Sequence, residues 1–203
     1  MSAAAVDRLH GDEPESLLEA ANRLMDRLPG YRVEIIDGMI TVAPLRDGLH
    51  ANALTTIMVP LLAAGLDDGG TEVLQAVGLW LPSGPEDYVI PDLVIVDADL
   101  DEHMIENNCY DPARFRLVLE VTSGNHRTDL RHKVIAYAQA RIPVYVIVDR
   151  KHGRVHVLTE PLPGGYDRHE VYAPGQQAPL PASIGAEVSL DVDEIVRAGR
   201  SKS

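Results

Sequence analysis

Apolar positions along the chain recur at two spacings, and the switches between them mark out its elements. Between Asp12 and Pro29-Gly30, Leu17, Ala20, Ala21, Leu24 and Leu28 follow a helical period with acids near the start, which predicts a helix over 12–28. "YRVEIIDGMITVAP" (31–44) holds two strand-like runs around Asp37-Gly38, the pair that a tight type I′ hairpin turn prefers. A second helix follows over 49–66, with Leu54, Ile57, Met58, Leu61 and Leu62 on one stripe and a candidate kink at Pro60. "TEVLQAVGLWLP" is strand-rich, "YVIPDLVIVDADL" gives a strand from near Asp92, and residues 116–121 give the next. A helix over 129–140 then carries Leu130, Val134, Tyr137, Ala138 and Arg141 on one side, with Asn125 or Thr128 as its cap. "PVYVIVDRKHGRVHVLTE" reads as a second hairpin turning at 151–153.

Periodicity weakens towards both ends. The Pro- and Gly-rich stretch 161–181 reads as loop with a short strand at 167–172, and a strand and helix close the chain at 186–198. Residues 1–11 show no period and read as a disordered leader, 199–203 as a tail, leaving a single domain over 12–198. Helices interleaved with strands and two β-hairpins imply a mixed α/β fold, its central sheet not uniformly parallel and flanked by helices.

Composition narrows the class. At 45% hydrophobic and 24% charged residues the chain is not disordered overall. No run approaches the roughly 18–20 apolar residues of a membrane span, and the first residues lack a signal-peptide pattern, so no membrane partner and a cytoplasmic location are expected. Cys109 is the single cysteine, which excludes an internal disulfide and a cysteine zinc cage. The net charge of −13 opposes a polyanion at long range, yet residues 120–156 hold seven Lys or Arg against three acids. Such a window is either a local phosphate-facing surface or an ordinary solvated one.

Two carboxylates stand where strand packing alone would select something else. Glu120 follows the apolar run Leu117, Val118, Leu119, and Asp92 sits between Pro91 and "LVIV". If the two strands are neighbours, both carboxylates converge on one point, which suits a hard divalent cation with few protein ligands. The competing readings are a turn residue for Asp92 and an ion-pair partner of Arg116 or Arg131 for Glu120. Lys133 lies about 40° around a helix from Tyr137, at the border of the buried stripe, so its ammonium can reach the strand end that carries Glu120. Its competing role is an i,i+4 pair with Asp129. His126, His132, His152 and His156 do not form a helical two-histidine zinc pattern, since His152 and His156 flank a hairpin turn. Neither a Gly-x-Ser-x-Gly elbow nor a phosphate-binding glycine loop is present.

The ordered series "YRVEIIDG", "LH" at a helix start, "PDLVIVD", "LVLEVTS", "TDLRHKVIAYA" and "PVYVIVDR" resembles the Uma family of "putative restriction endonucleases", a branch of the PD-(D/E)xK nuclease superfamily. The resemblance spans 31–158 and implies a restriction-endonuclease-like core. It further implies that Asp92 and Glu120 are catalytic and ligate Mg²⁺ or Mn²⁺. The superfamily lysine, two residues after the second acid, is replaced here by Thr122, and the resemblance places the catalytic lysine at Lys133 on the following helix. Glu34 and His50 match further family positions as supporting catalytic groups; a cross-strand salt bridge and a helix-start histidine are their structural alternatives. "TSGNHRT" departs from the family's Ser-Pro-Ser-Thr loop at Gly124, Asn125 and His126.

The resulting expectation is a metal-dependent endonuclease acting on DNA, as a homodimer. The alternatives are a nuclease-fold protein that is catalytically weak or inactive and serves as a binding or regulatory module, or a hydrolase of small phosphoesters. A contiguous basic face around the carboxylates would favour the first, an exposed apolar patch the second, and a closed pocket the third.

Overall fold

The computed structural model describes residues 15–44, 46–122 and 127–200, the first four of the last span by backbone alone. The expected leader at 1–11, a cap at Asn125 or Thr128, the Lys133–Asp129 pair and the centre of the "TSGNHRT" loop lie outside the described residues.

The first helix, α1 (Leu17–Arg27), starts later than its acids suggested because Ser16 closes a capping box with Glu19. Glu86 reinforces that end by accepting from the Leu17 and Leu18 amides at 2.8 and 3.3 Å. Strands β1 (Arg32–Ile36) and β2 (Met39–Ala43) form the expected hairpin, with Asp37 and Gly38 both at positive φ, 50° and 69°. Helix α2 (Gly48–Ala63) contains Pro60 in its last turn and is capped by Asp47, which accepts from the His50 amide at 2.7 Å.

The chain continues through β3 (Thr71–Gln75), β4 (Gly78–Trp80), β5 (Tyr88–Val89), β6 (Leu93–Asp97), β7 (Met104–Glu106), β8 (Cys109–Tyr110) and β9 (Phe115–Thr122). It then enters α3 (Arg127–Gln139), β10 (Val144–Asp149), β11 (Arg154–Leu162), β12 (Gly165–Tyr172), β13 (Gln177–Leu180), β14 (Val188–Asp191) and α4 (Val192–Ala198). Among the described residues these strands form two six-stranded sheets, ordered β2-β1-β5-β4-β8-β7 and β12-β11-β10-β9-β6-β3, and a β13-β14 ribbon. Both large sheets are mixed: β4–β8 is parallel in the first, and β9–β10, joined through α3, is parallel in the second.

At the centre of the second sheet β9 and β10 are buried on both faces, which is why they read as unbroken apolar runs. Leu117, Leu119 and Val121 point to a core shared with α2, α4 and the ribbon. Val118, Tyr145, Ile147 and Leu158 point the other way, to a core shared with Tyr137 and Ala136 of α3 and Leu79 and Val89 of the first sheet. Alternation along β9 therefore turns Glu120 towards α3.

Within 161–181 the expected strand at 167–172 lies in β12, and the loop expected around it is corrected. Strand β11 runs to Leu162 and pairs with all of β12 down to Leu162–Gly165, and β13 follows. As the exposed edge of the second sheet, β12 buries almost nothing, so "GYDRHEVY" carries only weak apolar alternation and reads as a shorter strand than it forms.

Gly78 faces Cys109 across the parallel β4–β8 pair, where an added Cβ would stand 2.6 Å from Cys109 Sγ and 2.7 Å from the Asn108 carbonyl oxygen. The Cys109 thiol beside it is pushed up to about 12 by burial. Gly78→Ala is expected to lower stability in urea unfolding by about 1–3 kcal/mol through overpacking against backbone. Gly70→Ala, with nothing within 4 Å of its new methyl, should change stability by less than about 0.5 kcal/mol.

Candidate active site

Glu34, His50, Asp92, Glu120 and Lys133 all lie in one buried cluster at the end of the second sheet, each 3–5% exposed. The register explains the meeting of the two acids. Strands β6 and β9 run antiparallel with Leu93 opposite Leu119, so Asp92, one residue before β6, stands level with Glu120. It is anchored there by the Val121 amide, which donates to Asp92 Oδ2 at 2.8 Å. Glu34 comes from β1, where the two-residue period sets Arg32, Glu34 and Ile36 on one face, and its Oε1 accepts from the Ile90 amide at 2.8 Å.

Lys133 joins the pieces. From the middle of α3 its Nζ donates to Glu120 Oε1 at 2.7 Å and to Glu34 Oε1 at 3.0 Å. Tyr137, one turn further along the same face, donates its hydroxyl to Glu120 Oε1 at 2.9 Å. Burial works against the Lys133 charge, but Glu120 and Glu34 outweigh it and raise its pKa, so Lys133 remains an ammonium.

Two arginines that the sequence reading passed over complete the cluster. Arg32 Nη1 donates to Asp92 Oδ1 at 2.9 Å and to the Ile90 carbonyl oxygen at 2.5 Å, while its Nη2 lies 3.8 Å from Glu120 Oε2. Arg46, beside the α2 cap, places Nη2 3.4 Å from Asp92 Oδ1 and 4.0 Å from Glu120 Oε2. His50 approaches the other side of Asp92, with Nε2 3.5 Å from Oδ2, and its Nδ1 is buried without a hydrogen-bond partner.

These partners divide the carboxyls. Burial raises Asp92, but His50, Arg32 and Arg46 hold it well below the usual carboxylate range. Burial likewise raises Glu34, and Lys133 and Arg32 bring it below its ordinary value. Glu120 goes the other way: burial pushes it up, against the pull of Lys133, with the Asp92 and Glu34 charges adding to the rise.

The competing readings fare differently. Arg116 is bound to Asp97 at 2.6 Å rather than to Glu120. Glu34 faces Thr41 across the hairpin, so its cations are Lys133 of α3 and Arg32 of its own strand, and none comes from β2. His152 meets Asp149 while His156 meets His169, so these two histidines take separate partners. Two members of the basic window are engaged within the structure: Lys133 points inward, and Arg150 is bound to Asp47 and the Gly199 carbonyl oxygen. Among the described residues no three His, Cys, Asp or Glu side chains are grouped as a metal cage.

Of the missed groups, Tyr137 was legible at four residues from Lys133, and Arg32 at two residues from Glu34 on the same strand face. Arg46 had no sequence signal, because its place depends on where α2 docks.

The description "Uma2: Putative restriction endonuclease" belongs to the family model that matches residues 18–193. Among solved structures, the chain is similar to a protein titled a putative nuclease belonging to DUF820 from Anabaena variabilis, with TM-score 0.64 and 14% identity. The match covers 81% of this chain and 90% of that one, and at this identity it shows a shared fold. No curated protein matches.

Removing the shared ammonium tests the cluster directly. Lys133→Met leaves Glu34 and Glu120 buried without it and should cost about 3–5 kcal/mol in urea unfolding. Adding Glu34→Gln to that variant should recover part of the loss, which a double-mutant cycle measures.

Proposed function

Since the chain belongs to the Uma2 family of "putative restriction endonucleases", we propose that it is a metal-dependent endonuclease hydrolysing phosphodiester bonds in DNA. One observation carries the reading: Asp92 Oδ1 and Glu120 Oε2 both face a single cationic atom, Arg46 Nη2, at 3.4 and 4.0 Å. Two carboxylate oxygens that share a guanidinium nitrogen fit a hard divalent ion such as Mg²⁺ or Mn²⁺, whose other ligands are water and substrate phosphate. When bound, the ion supplies Lewis acidity towards the phosphate and lowers the pKa of an attacking water.

The protein's own groups have distinct parts. Asp92 and Glu120 would hold the ion, and the Val121 amide fixes the Asp92 carboxylate from behind. Lys133, kept protonated, sets positive charge beside Glu120, where charge develops on the phosphate in the transition state. Glu34 aims Lys133, with its second contact at 3.0 Å, and Arg32 damps the repulsion between the two ligating carboxylates. His50 steadies Asp92 from the side away from Arg32. Cutting both strands calls for two such centres, which a homodimer would bring.

A second reading has its own support. The cluster is buried and already neutralised from within by Arg32, Arg46 and Lys133, as in a nuclease fold kept as a binding module without catalysis. The net charge of −13 also opposes DNA at long range.

Calorimetric titration with Mn²⁺ and a plasmid-nicking assay separate the two. The endonuclease reading expects Mn²⁺ binding that is lost in Asp92→Asn, with circular dichroism showing both proteins folded, and nicking that falls about a hundredfold or more in Glu120→Gln. Nicking by Glu120→Gln at the parental rate would sink the assignment.

A further inference from the structure

Two arginines share the same pair of carboxylates, and they are held in different ways. Arg32 is fixed: it makes a 2.9 Å contact to Asp92, is hydrogen-bonded to the Ile90 carbonyl oxygen, and its side chain is 15% exposed. Arg46 is 31% exposed and reaches both carboxylates only at long ion-pair distances. Its backbone neighbour Asp47, by contrast, is pinned. Arg150 grips that carboxylate at 3.0 and 3.3 Å, and the His50 amide donates to it at 2.7 Å. Arg46 is thus a partly exposed, loosely paired side chain on an anchored base, and its charge stands against the two carboxylates that would hold a divalent ion.

The geometry points to Arg46 as an exchangeable counter-ion, a resident cation that the divalent ion must displace to enter the site. This rests on the two-carboxylate reading above. Charge balance favours the exchange. With Arg46 in place, Glu34, Asp92 and Glu120 are matched one for one by Arg32, Arg46 and Lys133. Adding a divalent ion to that set would leave two positive charges uncompensated in a buried site, which is costly. Replacing Arg46 leaves one, the complement of the single negative charge on a phosphodiester. Arg46, on the exposed side of the cluster, is the cation that can leave without stranding a buried group, whereas Arg32 and Lys133 cannot.

Exchange has a signature opposite to that of a residue that merely supports the site, since removing a competitor strengthens binding. Mn²⁺ affinity by calorimetry would be measured for the full-length parent, Arg46→Gln and Arg46→Lys, each checked for folding by circular dichroism. Arg46→Gln is expected to bind roughly three- to tenfold more tightly than the parent, the scale of a partly exposed ion pair. Arg46→Lys should return towards the parental value. Binding by Arg46→Gln where the parent shows none would support the exchange most directly. Unchanged or weaker binding by Arg46→Gln would overturn it while leaving the carboxylate site standing. Absence of Mn²⁺ binding in all three folded proteins would overturn both the exchange and the metal site beneath it.

Discussion

The Lys133 ammonium, shared between Glu34 and Glu120, is the contact on which the other arrangements converge. It joins α3, the first sheet and the second sheet at one atom, with donor distances of 2.7 and 3.0 Å. A buried carboxylate without such a partner costs several kcal/mol, so neither acid is tolerable in its strand until α3 has docked. The α3 core of Tyr137, Ala136, Tyr145 and Ile147 secures that docking and keeps water from the ion pairs. Burial then strengthens the electrostatics that it endangers: the low-dielectric setting that would penalise a lone Glu120 also tightens its hold on Lys133.

A second anchor governs the opposite side of the site. Arg150, in the turn after β10, bonds through its backbone amide to the Thr122 carbonyl oxygen at 3.1 Å. Its side chain reaches the Gly199 carbonyl oxygen at 2.8 Å and grips Asp47 with two nitrogens. The end of the Glu120 strand, the N-terminus of α2 and the end of α4 are therefore tied together by one residue. His50 and Arg46 inherit their places from this tie, since one lies three residues after Asp47 and the other immediately before it. The contact to Arg150, which holds the Asp47 carboxyl below its ordinary range, keeps that cap charged.

The electrostatics of the molecule pull in two directions. Acidic overall, it draws cations inward at the carboxylate cluster and uses Arg150 to hold its own structure. On the proposed function, a nucleic acid would have to be attracted over short distances, at a cluster that would gain positive charge only with a divalent ion. The net charge of −13 opposes long-range steering of the kind seen in strongly basic DNA-binding proteins.

By itself the sequence determined the helices and most strands, because an α3 or β10 buried on defined faces must carry an apolar period. It also determined the Asp37-Gly38 turn, whose positive φ angles few residues accept, and it marked Asp92, Glu120 and Lys133 as residues that packing alone would not choose. Strands β7, β8 and β13 escaped it, since runs of two to four residues are too short to show an alternation. Only the tertiary structure decided what those residues meet. The level of Asp92 with Glu120 comes from the β6–β9 register, and Glu34 finds Lys133 through the docking of one sheet and a helix on the other. Arg46 reaches both acids because Arg150 fixes the start of α2. Periodicity is a local property of the chain, whereas a charge cluster gathered from 32 to 137 is set by distances that no local pattern encodes.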